Sequence, residues 1–338
     1  MKRAEKKALV HSIVLPYITA KRDKTQLGIY NRIKPGPDSR IRTVHGAAAT
    51  ETSRLNSSES ICDPASTNLQ NLPNVTASGD ELYQVRDCIV ADQDMILVAV
   101  DYDAAESICL AAYSKDWEFY DRLIAGEDVH SWHAGHFFDN KFWVNGQKAD
   151  KVERSVSKNA TFACNYMGSI YTVTLTVNRQ ADKIGRKVTQ AEIARIHRMY
   201  LNLHPLERWW RDTSDQLRRT GVLTNCFEFT RRFYNPDFDK RLKEGLAFFP
   251  QSTVACNINR SMTEIAATLD VERECELLLQ VHDELLFQVR EDLAHEKLGQ
   301  IISIMEKPFT IHGREIYIPA SAKMGKSWGQ MTGVSLKN

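Results

Sequence analysis

From Met95 to Val100 the chain reads Met-Ile-Leu-Val-Ala-Val, a short continuous apolar run that predicts a buried strand. The apolar positions Ile108, Leu110, Ala111 and Ala112 then predict a helix. Near the other end, Glu276 to Val289 holds two apolar runs, Leu277-Leu278-Leu279 and Leu285-Leu286-Phe287. They predict two strands joined tightly near His282-Asp283. From Asp116 to roughly Arg232 strand signals are weak, and helical patterns such as Gln190 to Leu201 and Leu206 to Arg219 predict a helical insertion. Gln251 to Leu269 reads as one long helix. At the start, Val10, Ile13, Val14 and Tyr17 form the i, i+3, i+4, i+7 stripe of a helix that Pro16 disturbs. Alternating and β-branched residues from Ile29 to Leu55, around Lys34-Pro35-Gly36-Pro37-Asp38, predict a hairpin, and the Ser/Asn-rich piece from Asn56 to Pro73 predicts loop. Strand, helical insertion, helix and hairpin amount to an α+β core interrupted by an all-α excursion.

Composition narrows this little. The 338 residues suffice for two or three domains, and the formal charge of +1 means that any nucleic-acid surface rests on local basic clusters. Lys2, Arg3, Lys6, Lys7, Lys21, Arg22 and Lys24 face only Glu5 and Asp23; for a charge run alone, a solvated end is the favoured reading. A second basic segment holds Arg179, Lys183, Arg186 and Lys187. The seven cysteines contain no CxxC pair, which argues against a zinc ribbon or a disulfide framework and for a reducing compartment. No apolar run approaches the roughly 20 residues of a membrane span, so no membrane association is expected. A secretory signal is missing, the expected location is cytoplasmic, in a bacterium or a virus-infected host cell, and the basic start leaves a mitochondrial presequence open.

The chemistry sits where the apolar runs end. Asp101 closes the first strand, and Asp283 lies between the last two. Each alone reads as a turn residue at a sheet edge. Acids meeting at one edge cost too much to bury without a cation, so the pair reads as a divalent-metal site. Between them, Arg154, Lys158, Phe162 and Tyr166 recur every four residues, a stripe of roughly 120° on a helix. Its cations can pair phosphates and its rings can face a base, although a surface helix with two core aromatics has the same spacing. Carboxylate-held metals facing a cationic helix describe phosphoryl transfer from a triphosphate. His130, His133 and His136, three apart with no Cys nearby, make a poor tetrahedral zinc site.

In their order, these residues resemble the family A DNA polymerases, the bacterial DNA polymerase I type. The resemblance rests on Asp101-Tyr102 through Glu106 with Leu110-Ala111 and Ser114-x-Asp116; on Asp128-Val129-His130; on Arg154, Lys158, Phe162 and Tyr166; and on Gln280 to Leu285. Thr52-Ser53-Arg54-Leu55, Asn68-Leu69-Gln70-Asn71-Leu72-Pro73, Arg231-Arg232, Gln251 and Gly325-Lys326-Ser327-Trp328-Gly329 also fit. The resemblance implies a right-hand fold: an antiparallel palm sheet, a helical fingers insertion and a truncated thumb. Its divisions would be 1–48 (thumb-to-palm helix and hairpin), 49–115 (palm), 116–232 (fingers) and 233–338 (palm). It implies DNA-directed DNA synthesis: deoxynucleotides (dNTPs) added to the 3′ end of primer-template DNA, with release of pyrophosphate. Two Mg²⁺ ions, replaceable by Mn²⁺, would lie on Asp101, Asp283 and the Tyr102 carbonyl. Lys158, Arg154 and His130 would hold the triphosphate, with Lys158 also acting in the chemistry. Glu106 would exclude a 2′-hydroxyl, Tyr166 would stack near the templating position, and Phe162 would discriminate against dideoxynucleotides. Arg54, Gln251 and His282 would read the primer terminus from the minor groove, and Asn68, Gln70 and Asn71 would lie along the DNA.

Asp103 stands where the family has serine, Ser53 and Ser252 where it has glycine, Ser107-Ile108 where it has Leu-Arg, and Met167-Gly168 where it has Tyr-Gly. Asp103 adds like charge beside the metal site. Fewer than a hundred residues precede the first palm strand, so the expectation is no proofreading nuclease in this chain and a thumb or exonuclease on a separate polypeptide. Two other readings compete: a single-subunit RNA polymerase, against which Glu106 and Glu284 argue, and a catalytically silent DNA-binding subunit, against which the retained aspartates argue.

Overall fold

The computed structural model describes residues 28, 31, 33–47, 50–59, 66–72, 85–180, 185–270 and 273–335. The helix expected over Val10 to Tyr17, the basic N-terminal cluster, Pro73, Asp182 and Lys183 lie outside these residues.

β1 (Val44–Gly46) pairs with β2 (Asn56–Ser58). β3 (Met95–Tyr102) leads into α1 (Ala105–Ser114). A helical region follows: α2 (Trp117–Ile124), α3 (Val129–Phe137), α4 (Lys141–Val144), α5 (Lys151–Asn165), α6 (Ile170–Arg179), α7 (Gln190–Leu203) and α8 (Leu206–Thr220). The hairpin β4 (Val222–Thr224) and β5 (Thr230–Arg232) closes it and precedes α9 (Phe238–Thr268). Then come β6 (Cys275–Val281), β7 (Glu284–Arg290), α10 (Ala294–Met305), the hairpin β8 (Phe309–Ile311) and β9 (Arg314–Ile316), β10 (Ala320–Gly325) and β11 (Thr332–Val334). β3 is the centre of a five-stranded antiparallel sheet in the order β11-β10-β3-β7-β6.

The continuous apolar run of β3 follows from burial on both faces. Val98, Val100 and Tyr102 join Leu285, Phe287, Ala322 and Met324 in a core with residues of α1, α9 and α10. Leu97, Ala99 and Leu286 face the other way, onto Leu69, Leu72 and Trp328. Side chains alternate along a strand, so Asp101 follows Leu97 and Ala99 onto the face without helices. Register puts it opposite Glu284 on β7 and Ser321 on β10.

Several expectations shift. The hairpin pairs Val44–Gly46 with Asn56–Ser58 and does not turn at Lys34 to Asp38, where Gly36 N–H donates to Arg40 C=O (2.8 Å) in a turn of its own. Asn56 to Pro73 is not all loop: it contains β2 and a 3-10 turn over Leu69–Asn71, because Ser57 Oγ accepts Leu69 N–H (3.0 Å) and links them. The helix expected from Gln251 begins at Phe238. Pro250 lies inside it, and packing of the buried Phe248, Phe249 and Pro250 outweighs the lost backbone bond that makes proline read as a stop. The helical stretch ends in the β4–β5 hairpin, whose three-residue strands are too short for a periodicity signal.

Candidate active site

The β6–β7 turn holds only His282 and Asp283, with Val281 opposite Glu284. His282 takes a left-handed backbone (φ 60°), a conformation tight antiparallel turns require and non-glycine residues seldom adopt. Tyr102 N–H donates to Asp283 C=O (3.3 Å), which ties the turn to the end of β3 and brings Asp283 beside Asp101. Asp101 Oδ1 is buried without a hydrogen-bond partner. Burial, then the neighbouring Asp283, Glu284 and Asp103, push its carboxyl up to about 7. Burial raises Asp283 and Glu284 as well. An orphaned carboxylate oxygen among acids that resist ionising together is the donor chemistry a hard divalent cation relieves, so these residues fit Mg²⁺ or Mn²⁺. Among the described residues no group of three or more His, Cys, Asp or Glu side chains is placed to hold a metal ion by itself. A cation here would complete its shell with water or substrate oxygens, as Mg²⁺ commonly does.

Beside the acids, Arg54 Nη2 meets Glu106 Oε1 at 2.5 Å. The loop carrying Arg54 is held at two points: Thr50 Oγ1 donates to Arg54 C=O (2.7 Å), and Asn259 Nδ2 of α9 donates to Ser53 C=O (3.1 Å). Ser53 is left-handed there (φ 62°), which accounts for glycine being the expected residue. Tyr166 is also near Glu106; burial, then the Glu106 carboxylate, raise its phenol. Arg54 also lowers Asp283 in part, so the Arg54–Glu106 pair and the acids share one field.

The helix α5 starts where Asp150 accepts the N–H groups of Val152 (2.8 Å) and Glu153 (3.1 Å). Arg154 Nε reaches both oxygens of Asp128, at 2.7 and 3.1 Å, leaving its Nη groups open. Asp128 caps α3 through Ser131; burial alone would raise it, but the Arg154 bond wins and holds its carboxyl down at about 2. Burial, then Arg154 and Lys158, depress His130 to about 4, so it is neutral at pH 7. Its ring lies 6.0 Å from that of Phe162. Lys158 and Phe162 are exposed. Tyr166 stands just past the last helical residue, as the C-cap.

The remaining predicted residues are dispersed. Gln70 Nε2 donates to the backbone and side-chain oxygens of Gln280, both at 3.0 Å, so it braces the β6 end next to the turn. Asn68 Oδ1 is buried without a partner, Asn71 and His282 are exposed, and Gln251 is half-buried on α9. Asp103 accepts a hydrogen bond from Ser321 Oγ (2.9 Å). The His triplet does not converge: His133 Nε2 lies 2.8 Å from His204 Nε2, and His204 Nδ1 lies 2.5 Å from Asp116, a buried chain linking α2, α3 and α7. Sequence reasoning missed Asp128 as the Arg154 partner, although Asp-x-x-Ser before an apolar helix is a cap signal. It also missed Lys323, whose field lowers Asp101 from β10; only long-range register brings it there.

A fold with a five-stranded antiparallel sheet, acids at the end of its central strand and a long helical excursion is the class to which these comparisons belong. The sequence profile of DNA polymerase family A matches residues 2–330, and the chain belongs to that family. It is 29% identical over 297 residues to the thermostable DNA polymerase I of Thermus filiformis, covering 86% of this chain and 32% of that protein. It is 30% identical over 301 residues to DNA polymerase I of Pseudomonas aeruginosa, covering 86% and 30%. The chain thus spans about a third of the length of these relatives. The POL domain of Pol1 from M. smegmatis, solved in complex with DNA primer-template and dNTP, superposes with a TM-score of 0.76 at 24% identity. That match covers 96% of this chain and 55% of that one, and it shows the shared fold. No helix among the described residues is long and apolar enough to cross a membrane.

Proposed function

We propose that this chain copies DNA: it adds deoxynucleotides to a primer 3′ end as the template directs, by two-metal phosphoryl transfer with release of pyrophosphate. The sheet with α1, α9 and α10 is the palm of this reading, and residues 116–232 are its fingers. The observation that carries it is the meeting of Asp101 and Asp283 beside the Arg54, Glu106 and Tyr166 group in a family A chain.

Asp101, Asp283 and the Tyr102 carbonyl would hold the divalent cations. Such cations, when bound, activate the attacking 3′-oxygen and neutralise charge on the leaving pyrophosphate. The residues of α5 do the rest by position. The open Nη groups of Arg154 and the ammonium of Lys158 hold phosphate oxygens and stabilise charge as it grows. His130 is neutral and serves as a hydrogen-bond donor rather than a cation. Phe162 and Tyr166 give the base flat neighbours, and Glu106 meets the sugar where a ribose would carry its extra hydroxyl. Arg54, Gln251 and His282 line the primer end, and Asn68 and Asn71 the strand beyond it.

The test is primer extension with the purified chain, Mg²⁺ and either deoxy- or ribonucleotides. Wild type extends with dNTPs in template order. Asp283→Ala retains primer-template binding and loses extension by about a thousandfold or more. A preference for ribonucleotides, or binding without extension in the wild type, would overturn the reading.

A further inference from the structure

The Arg54–Glu106 ion pair does more than fill space in the proposed site. Both side chains are about one-third exposed (31% and 32%), so this charge pair sits at the mouth of the site and not in the core. Arg54 comes from a loop remote in sequence, held by Thr50 and by Asn259 of α9, with Ser53 kept in a left-handed backbone. Glu106 comes from the first turn of α1. Tyr166, at the end of α5, lies near enough for the carboxylate to raise its phenol. A glutamate carboxylate on a flexible stem is thereby tied to a guanidinium on a separate element.

We propose that Arg54 is the positioning residue that sets sugar selectivity through Glu106. This inference rests on the polymerase reading and deepens it. A carboxylate excludes a 2′-hydroxyl only if it cannot swing aside. A free Glu side chain has three rotatable bonds and loses rotamer entropy when fixed. The charge-assisted bond from Arg54 holds it in place. Because the polymerase reading puts the same guanidinium at the primer end, sugar selection and primer placement would share one side chain. A misplaced primer end that draws Arg54 away also loosens the gate.

The measurement is the ratio of kcat/KM for a deoxynucleotide to that for the matching ribonucleotide, in wild type, Arg54→Ala, Arg54→Lys, Glu106→Ala and Arg54→Ala/Glu106→Ala. Loss of a primer contact alone lowers both rates by one factor and leaves the ratio unchanged. The expected result is a ratio about tenfold or more lower in Arg54→Ala, partly restored in Arg54→Lys, and no further change when Arg54→Ala is added to Glu106→Ala. Circular dichroism melts verify that each variant is folded. An unchanged ratio in a folded Arg54→Ala, or a drop of the same size in the Glu106→Ala background, overturns the inference. A wild type that extends nothing overturns the polymerase reading itself.

Discussion

Asp101 and Glu284 face each other across β3 and β7, and Asp283 is one residue further into the turn, so three acids share a small volume that no cation of the described chain neutralises fully. The acids were legible as the polar ends of apolar runs. Their proximity was not, because it depends on pairing between strands nearly two hundred residues apart in sequence. His130 illustrates a different limit. Its place in the Asp128-Val129-His130 stretch was readable, but its depressed basicity comes from burial and from two cations on another helix. That depression has a sign. The unfolded imidazole titrates near 6.5 and the folded one near 4, so the unfolded chain binds more protons between these values. Stability from this group is therefore complete above pH 6.5 and lost as pH falls toward 4. Urea unfolding at pH 7.5 and pH 4.5 checks it: the difference between wild type and His130→Asn should change by on the order of 2 kcal/mol, in favour of the variant at low pH.

At the scale of the element, α5 shows how local chemistry sets a functional side chain. Its last turn closes with a Schellman arrangement: Gly168 N–H donates to Ala163 C=O (3.0 Å) and Met167 N–H to Cys164 C=O (3.2 Å), with Met167 left-handed (φ 56°). This stop leaves Tyr166 at the C-cap, where it meets Glu106. A four-residue spacing announced one helical stripe; the stop one residue before Tyr166 came from cap geometry that spacing does not encode. At Gly168 an added Cβ would lie 2.4 Å from the Ala163 carbonyl oxygen, so backbone must move. Gly168→Ala should cost about 1–3 kcal/mol in urea unfolding and weaken extension by displacing Tyr166. The long α9 makes the converse point, since Pro250 argues for a boundary that buried neighbours override.

For the molecule as a whole, the cation site proposed at the clustered acids would couple binding to stability. A cation that binds only the folded chain raises its melting temperature, and each like charge it neutralises adds to the effect. Addition of 10 mM Mg²⁺ at pH 8 should therefore raise the melting temperature of the wild type by about 2 °C or more. Asp101→Asn should melt higher than wild type without metal, having lost a buried ionised group, and should respond little to Mg²⁺; calorimetry with and without chelator reads both. The sequence by itself determined the α+β class, the helical excursion, the buried central strand and the β6–β7 hairpin, because periodicity and local polarity are properties of neighbours along the chain. Only the tertiary structure decided that Asp101 faces away from the helices, that Arg54 holds Glu106, that Asp128 holds Arg154, and that His133 belongs to a buried chain with His204 and Asp116. Those pairings join elements far apart in sequence, and their partners are selected by strand register and helix packing, which no local pattern records.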